Sequence, residues 1–237
     1  MSRRPRVLLT RPHGENDALA ARLAERGIDA QAAPCVRIEE LADLAPLADS
    51  LRRLTADDVL VITSRAGARA VARALRGTPC AAPAAAVGPA TAHACREAGL
   101  RVAFMPSVAT GIALADELPL PRGVVLLARS HRAAAEPAAI LRRRGALVGE
   151  IVVYRTVPLA PAGIADADVA VFASPSAVDG FALSGAHAAV AVAVGPATAA
   201  RVRERLGIDA LVAAPDDVAL AIAIERALEG RHAFVDR

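Results

Sequence analysis

The chain contains no lysine and no tryptophan. Each of its 28 basic residues is therefore an arginine. Without lysine there is no Schiff-base chemistry of the pyridoxal phosphate or aldolase kind. There is also no P-loop, whose phosphate contact is a lysine. Aromatic residues make up 2% of the chain and the net charge is only +3. A nucleic-acid footprint needs clustered basic residues, usually with stacking aromatics, so no nucleic-acid partner is expected. Cys35, Cys80 and Cys95 are scattered, with no CxxC pair. They read as buried structural thiols rather than as a disulfide framework or zinc site. His13, His93, His131, His187 and His232 show no ligand spacing and read as surface or supporting residues. No metal and no cofactor are expected. No apolar run approaches the ~20 residues of a membrane span. Val7-Leu8-Leu9 is too short an apolar stretch for a signal peptide. A soluble, cytoplasmic protein with no membrane partner is the expectation, and an anionic small molecule suits the mild positive charge.

What the chain does have is internal repetition. Val87-Gly88-Pro89-Ala90-Thr91-Ala92 returns as Val194-Gly195-Pro196-Ala197-Thr198-Ala199. Ile62-Thr63-Ser64-Arg65-Ala66-Gly67-Ala68 answers to Phe172-Ala173-Ser174-Pro175-Ser176-Ala177-Val178. Leu8-Leu9-Thr10-Arg11 answers to Leu126-Leu127-Ala128-Arg129. Three matches in the same order indicate a duplication of roughly 110–120 residues. At 54% apolar, the composition is ample for two cores, and two similar halves imply a cleft between them.

Short apolar runs alternate with amphipathic stretches. Strands are expected at 6–10, 29–34, 58–63, 83–87, 101–104, 123–128, 148–156, 168–173, 189–194 and 210–213. Helices are expected between them, for example at 15–26, 66–75, 90–98, 137–144, 176–183 and 197–206. Continuous apolar strands alternating with helices predict parallel sheets covered on both faces. Gly27, Gly99, Gly145 and Gly207 stand where helices should end. Pro89, Pro137, Pro175 and Pro196 stand where helices should begin.

Chemistry concentrates at the strand-to-helix corners. Ser64 and Ser174 each end a predicted strand and open a helix. They can cap the helix, or they can contact a ligand at the C-terminal end of a parallel strand; one residue can do both. Free N–H groups at such a helix start attract carboxylate or phosphate. Gly88 and Gly195 permit close backbone approach, and Thr91 and Thr198 fall in the first helical turn. Arg11 and Arg129 follow the first strand of each copy. Either can hold a carboxylate with two parallel hydrogen bonds, or simply be solvated. Tyr154, the only tyrosine, can pack its ring or donate a proton from its phenol.

Taken together, Leu9-Thr10-Arg11-Pro12, Thr63-Ser64, Val87-Gly88-Pro89-Ala90-Thr91, the Leu127/Arg129 segment, Tyr154-Arg155-Thr156, Phe172-Ala173-Ser174-Pro175-Ser176-Ala177-Val178 and Gly195-Pro196-Ala197-Thr198 resemble the uroporphyrinogen-III synthase family over nearly the whole chain. The corner at Ser64 departs from the family pattern, which usually has an aromatic where Ile62 stands and commonly an asparagine where Ala66 stands. The resemblance implies two similar α/β domains, each a parallel sheet flanked by helices in the flavodoxin-like manner, joined by two extended linkers with the cleft between them. It implies an interleaved division, residues 1–36 with 158–237 as one domain and 37–157 as the other, with linkers near Pro34–Glu40 and Val152–Pro158. It implies a cofactor-free lyase of tetrapyrrole biosynthesis that cyclises hydroxymethylbilane to uroporphyrinogen III with loss of water and inversion of ring D. Tyr154 is then the catalytic candidate. Arg11, Ser64, Gly88, Thr91, Arg129, Ser174, Ser176, Gly195 and Thr198 are the substrate-binding candidates. A monomer is expected, with hydroxymethylbilane synthase, the preceding enzyme, as a possible partner. The alternative is a non-catalytic two-domain protein that binds an anionic tetrapyrrole or another polycarboxylate. A receiver-like signalling module would need an acidic pocket at the strand ends, and none stands at these corners.

Overall fold

The computed structural model describes residues 5–235, with side chains to Gly230; His232 lies outside the described side chains. In chain order it begins β1 (Val7–Leu9), α1 (Asp17–Ala24), β2 (Ala30–Ala32), β3 (Val36–Glu40), α2 (Ala45–Arg53), β4 (Val59–Ile62) and α3 (Arg65–Leu75). It continues through β5 (Ala84–Ala86), α4 (Pro89–Glu97), β6 (Val102–Phe104), α5 (Gly111–Glu117), β7 (Val124–Ser130) and α6 (Glu136–Arg143). It closes with β8 (Leu147–Pro158), β9 (Ala167–Phe172), α7 (Pro175–Leu183), β10 (Ala188–Val194), α8 (Gly195–Leu206), β11 (Ala210–Ala213) and α9 (Asp217–Val235).

Two compact units result. One joins the chain up to Arg37 to the chain from Val157 onward, and the other is Ile38–Thr156. The first holds a five-stranded sheet ordered β11-β10-β9-β1-β2, and the second a six-stranded sheet ordered β3-β8-β7-β4-β5-β6. All four pairings of the first sheet are parallel. So are those joining β8, β7, β4, β5 and β6.

The repeated segments give the correspondence between the sheets. β9 answers to β4, β10 to β5, β11 to β6, β1 to β7 and β2 to β8. Substituting one set for the other reproduces the same spatial order. Each sequence copy therefore contributes its first two strands to one unit and its last three to the other. A copy in the sequence sense is not a unit in the structural sense.

Period-2 alternation assigns each strand residue to one of two helical layers. In the first unit Leu8, Ala170, Phe172, Ala191 and Ala193 pack under Val178 and Phe181 of α7 and Val202 of α8. Their neighbours Val7, Leu9, Val169, Val171 and Val192 pack against Leu19 and Leu23 of α1 and Leu220 and Ile224 of α9. In the second unit Leu60, Ile62, Ala84, Ala86, Leu126 and Ala128 meet α2, α3 and α4. Val61, Ala85, Val125 and Leu127 meet Leu114 of α5 and Ile140 and Leu141 of α6. Both faces of each sheet are covered, which is why the central strands read as unbroken apolar runs.

Helix ends follow the local signals. Gly27, Gly99, Gly145 and Gly207 all take the left-handed conformation. Pro89 and Pro175 are first helical residues, and Pro137 and Pro196 are second. The two linker segments are extended and fall in strands. The segment near Pro34–Glu40 contains strand β3, and the segment Val152–Pro158 lies within β8, beside it. Extended backbone that pairs in a sheet satisfies N–H and C=O groups that a free linker would leave to water.

A repeated feature with no sequence motif of its own ties the copies together. Asp58 and Asp168 stand at the same distance before Ser64 and Ser174. The Asp58 carboxylate accepts from Val124 N at 2.6 Å and from Thr55 N and Oγ1 at 2.7 and 2.8 Å. The Asp168 carboxylate accepts from Arg6 N at 2.5 Å. Val124 opens β7 and Arg6 precedes β1, its counterpart. Each clasp fastens a strand start of one copy to a strand of the other.

Candidate functional site

In each unit the connections diverge between two central neighbours, β4 and β7 in one and β9 and β1 in the other. Open parallel sheets form a crevice at such a point, outside the C-terminal strand ends. The residues singled out above gather at these ends.

In the second unit Ser64 follows β4 and caps α3, accepting from Gly67 N at 3.0 Å. Its Oγ also lies 2.9 Å from the Tyr154 Oη. Tyr154 is 8% exposed, and its ring belongs to the core that holds Leu60 and Ile62. β7 and β8 slip register between Arg129 and Ser130, so that Ser130 pairs with Tyr154. The slip brings further groups in. His131 N donates to the Tyr154 carbonyl at 3.3 Å, and Thr156 N to His131 Nδ1 at 3.4 Å. Ser130 Oγ lies 3.2 Å from Thr156 Oγ1. Ser130, His131 and Thr156 carried no signal beyond adjacency to Arg129 and Tyr154, because their meeting depends on the slip.

Arg129 is not free to meet a ligand as it stands. It pairs with Glu150, and its other nitrogen donates to the Ala133 carbonyl and, at 3.0 Å, to that of Ala134. Glu150 also accepts from Arg142 at 2.8 Å. Arg142 first, then Arg129, hold the Glu150 carboxyl below the usual carboxylate range against its partial burial. The arginine pins the turn that follows β7.

In the first unit Ser174 caps α7, accepting from Ala177 N at 3.3 Å, and Ser176 is buried in its first turn. Thr10 closes the space between β1 and β9 by donating its hydroxyl to the Val171 carbonyl at 2.6 Å. Arg11 pairs with Asp217 at 2.7 Å. Asn16, which sequence reasoning passed over, donates to the Arg11 carbonyl at 3.0 Å and is 1% exposed. Its Oδ1 is buried without a partner. It fixes the turn that carries Arg11.

The Gly-Pro-Ala-Thr corners are alike in sequence and unlike in backbone. Gly88 is extended, with φ −178°. A Cβ there would stand 2.9 Å from the Ala109 Cβ, so its reason is close approach. Gly195 has φ +75° and open space around it, so its reason is the left-handed conformation. Thr91 and Thr198 are both buried in the first helical turn.

Burial pushes the Cys35 thiol up to about 12 and the Cys95 thiol up to about 11. Thiols so raised are poor nucleophiles and metal ligands. Among the described residues no group of three or more His, Cys, Asp or Glu could hold a metal ion. Among them, too, no helix is long and apolar enough to cross a membrane.

The molecule is thus a duplicated α/β protein. Each unit carries a flavodoxin-like sheet with hydroxyl-bearing helix starts at its C-terminal edge. The chain matches the family described as Uroporphyrinogen-III synthase HemD over residues 17–223, and it belongs to that family. No curated protein sequence matches it. A mutant uroporphyrinogen III synthase from the extremely thermophilic bacterium Thermus thermophilus superposes with a TM-score of 0.60 at 22% identity, covering 95% of this chain and 99% of that one. The uroporphyrinogen-III synthetase of Helicobacter pylori superposes with 0.61 at 17% identity, again covering 95% and 99%. At these identities the likeness is one of fold, the parallel α/β architecture derived above.

Proposed function

We propose that this chain is a cofactor-free lyase that converts hydroxymethylbilane to uroporphyrinogen III. The observation that carries the reading is the family match, which spans both units. The geometry supports it. The substrate is a polycarboxylate, and the repeated corners are helix starts at C-terminal strand ends, to which carboxylates are drawn.

In this reading the corners at Gly88–Thr91 and Gly195–Thr198, with Ser174, Ser176 and Arg11, hold carboxylates. Arg11 does so by exchanging Asp217 for substrate. Arg129 contributes by fixing the turn after β7. Tyr154 gives its phenolic proton to the departing hydroxyl group, which leaves as water. The resulting azafulvenium is attacked by the substituted carbon of ring D, and the spiro intermediate fragments and recloses with that ring inverted, the proton lost from ring D on closure returning to the tyrosinate. The substrate cyclises unaided to the other isomer. The protein's work is therefore to hold one geometry, catalysis by positioning. The chain acts as a cytoplasmic monomer and receives its labile substrate from hydroxymethylbilane synthase.

The test is to supply hydroxymethylbilane, oxidise the products and measure the ratio of type III to type I isomers. A majority of type III is expected, unchanged after exhaustive dialysis against chelator. Type I alone would leave the non-catalytic tetrapyrrole binder as the reading.

A further inference from the structure

We infer that Ile112 and Val218 hold the rings of the substrate, each laying an aliphatic side chain against the face of a pyrrole whose carboxylates the neighbouring corner takes. The inference rests on the synthase reading and adds to it the apolar part of the site.

The repeat that places these two residues is visible only in the structure. β6 and β11 are counterparts, each an edge strand of its sheet, and the helices that follow them begin alike. Thr110 caps α5, its hydroxyl oxygen accepting from Ala113 N at 3.1 Å and its carbonyl from Leu114 N at 3.0 Å. Asp216 does the same for α9, its carboxylate accepting from Ala219 N at 2.8 Å and its carbonyl from Leu220 N at 3.1 Å. Counted from these caps, Leu114 and Ala115 answer to Leu220 and Ala221, and all four are buried. Ile112 answers to Val218, and both are exposed, at 51% and 45%.

Neither helix nor solvent calls for an aliphatic side chain at these positions. A β-branched residue is a weaker helix former than many polar ones, and the first turn favours acidic side chains. Single exposed aliphatics are ordinary on a protein surface. The same kind of side chain at the same residue of the same helix in both copies is a constraint.

Position shows what the constraint is. Each helix starts at the C-terminal strand ends, and each start is joined to a substrate-binding candidate. Ala109, next to the Thr110 cap, has its Cβ where a Cβ on Gly88 would come to 2.9 Å. Asp217, next to Val218, holds Arg11 at 2.7 Å. The substrate-binding candidates are all polar or glycine, whereas a small-molecule site is lined mainly by apolar groups. A tetrapyrrole offers both kinds of surface, carboxylates at its rim and ring faces within. Ile112 and Val218 supply what the corners lack.

Ile112→Ser and Val218→Ser remove the aliphatic surface and leave both caps in place. Each should raise KM about five- to tenfold, the scale of burying the exposed half of such a side chain. The contact is made alike before and during reaction, so kcat should hold. The loss should be equal at low and high ionic strength, since no charge is involved. Ile112→Val and Val218→Ile should keep the native KM. Leu147 opens β8 and Leu183 closes α7, at the opposite strand ends. They are 68% and 61% exposed, and replacing either by serine should change nothing. Calorimetry with uroporphyrinogen III, kept reduced, should show both Ile112→Ser and Val218→Ser losing affinity by the same factor, with a less negative heat-capacity change.

A native KM in Ile112→Ser or Val218→Ser, an equal loss in Leu147→Ser or Leu183→Ser, or a lowered melting temperature in place of the KM effect would overturn the inference. So would a loss that salt abolishes, which would make the two positions part of the carboxylate contacts. Type I product from the native protein would overturn the synthase reading instead, and the calorimetry would still decide the ring contact.

Discussion

Replacing Asp58 by alanine should destabilise the second unit while leaving its chemistry intact. The carboxylate accepts from Val124 N, Thr55 N and Thr55 Oγ1, at 2.6, 2.7 and 2.8 Å, and is 8% exposed. A hydrogen bond to a charged group contributes about 1.5–3 kcal/mol, and a buried N–H left unpaired costs about 1–3 kcal/mol. Thr55 can turn its hydroxyl to water, so the two N–H groups decide the outcome, at about 3 kcal/mol. That is a large share of the roughly 5–15 kcal/mol typical of a folded domain. The N–H of Val124, then that of Thr55, hold the Asp58 carboxyl below the usual carboxylate range. A carboxyl lowered in the folded state stabilises above its unfolded pKa, and the stabilisation is lost as pH falls through the folded value. Acid unfolding of the native protein should therefore steepen below about pH 4, and Asp58→Ala should lose that component. Urea unfolding at neutral pH gives the size of the effect. Amide exchange at Val124 gives its place, since a two-unit protein need not unfold in one step. Asp58 lies at the opposite strand ends from the candidate site, so kcat should hold. A loss under about 1 kcal/mol, or unaltered protection at Val124, would refute the argument that this clasp fastens one copy to the other.

Gly195→Ala forces a side chain into the left-handed region and should cost about 1–2 kcal/mol by urea unfolding. Gly88→Ala keeps an allowed backbone but must displace Ala109, and should show chiefly as a raised KM. Arg129→Met strips Glu150 and two carbonyls of a donor, so melting should show the loss before KM does; a large KM effect with unaltered stability would mean the arginine does reach substrate. Carboxylates held by Arg11 and helix starts are screened by salt, so KM should rise with ionic strength, and a flat KM would point to another mode of holding them.

Much of this protein is decided locally, and for that reason the sequence alone determined it. Unbroken apolar runs such as 169–173 need only the covered faces of a parallel sheet. Glycine at a helix end or proline at its start acts through its own φ, which no distant contact alters. The corner motifs carry their caps within three residues, as Ser64 with Gly67 and Ser174 with Ala177. The duplication was legible because the copies keep the same residues at corresponding corners, even where, as at Gly88 and Gly195, the backbone reason differs. Tertiary structure decided which charged and hydroxyl groups meet. Arg11 and Arg129 look alike in sequence, but what they hold is set by Asp217 across the fold and by Glu150 on the next strand. β3 is a strand only because β8 lies beside it. Asp58 and Asp168 are ordinary acids until the copies exchange strands and bring Val124 and Arg6 to them. Tyr154 reaches Ser64 only through a slip in register between two strands. Pairing of this kind depends on the position of residues far along the chain, and no local pattern encodes it.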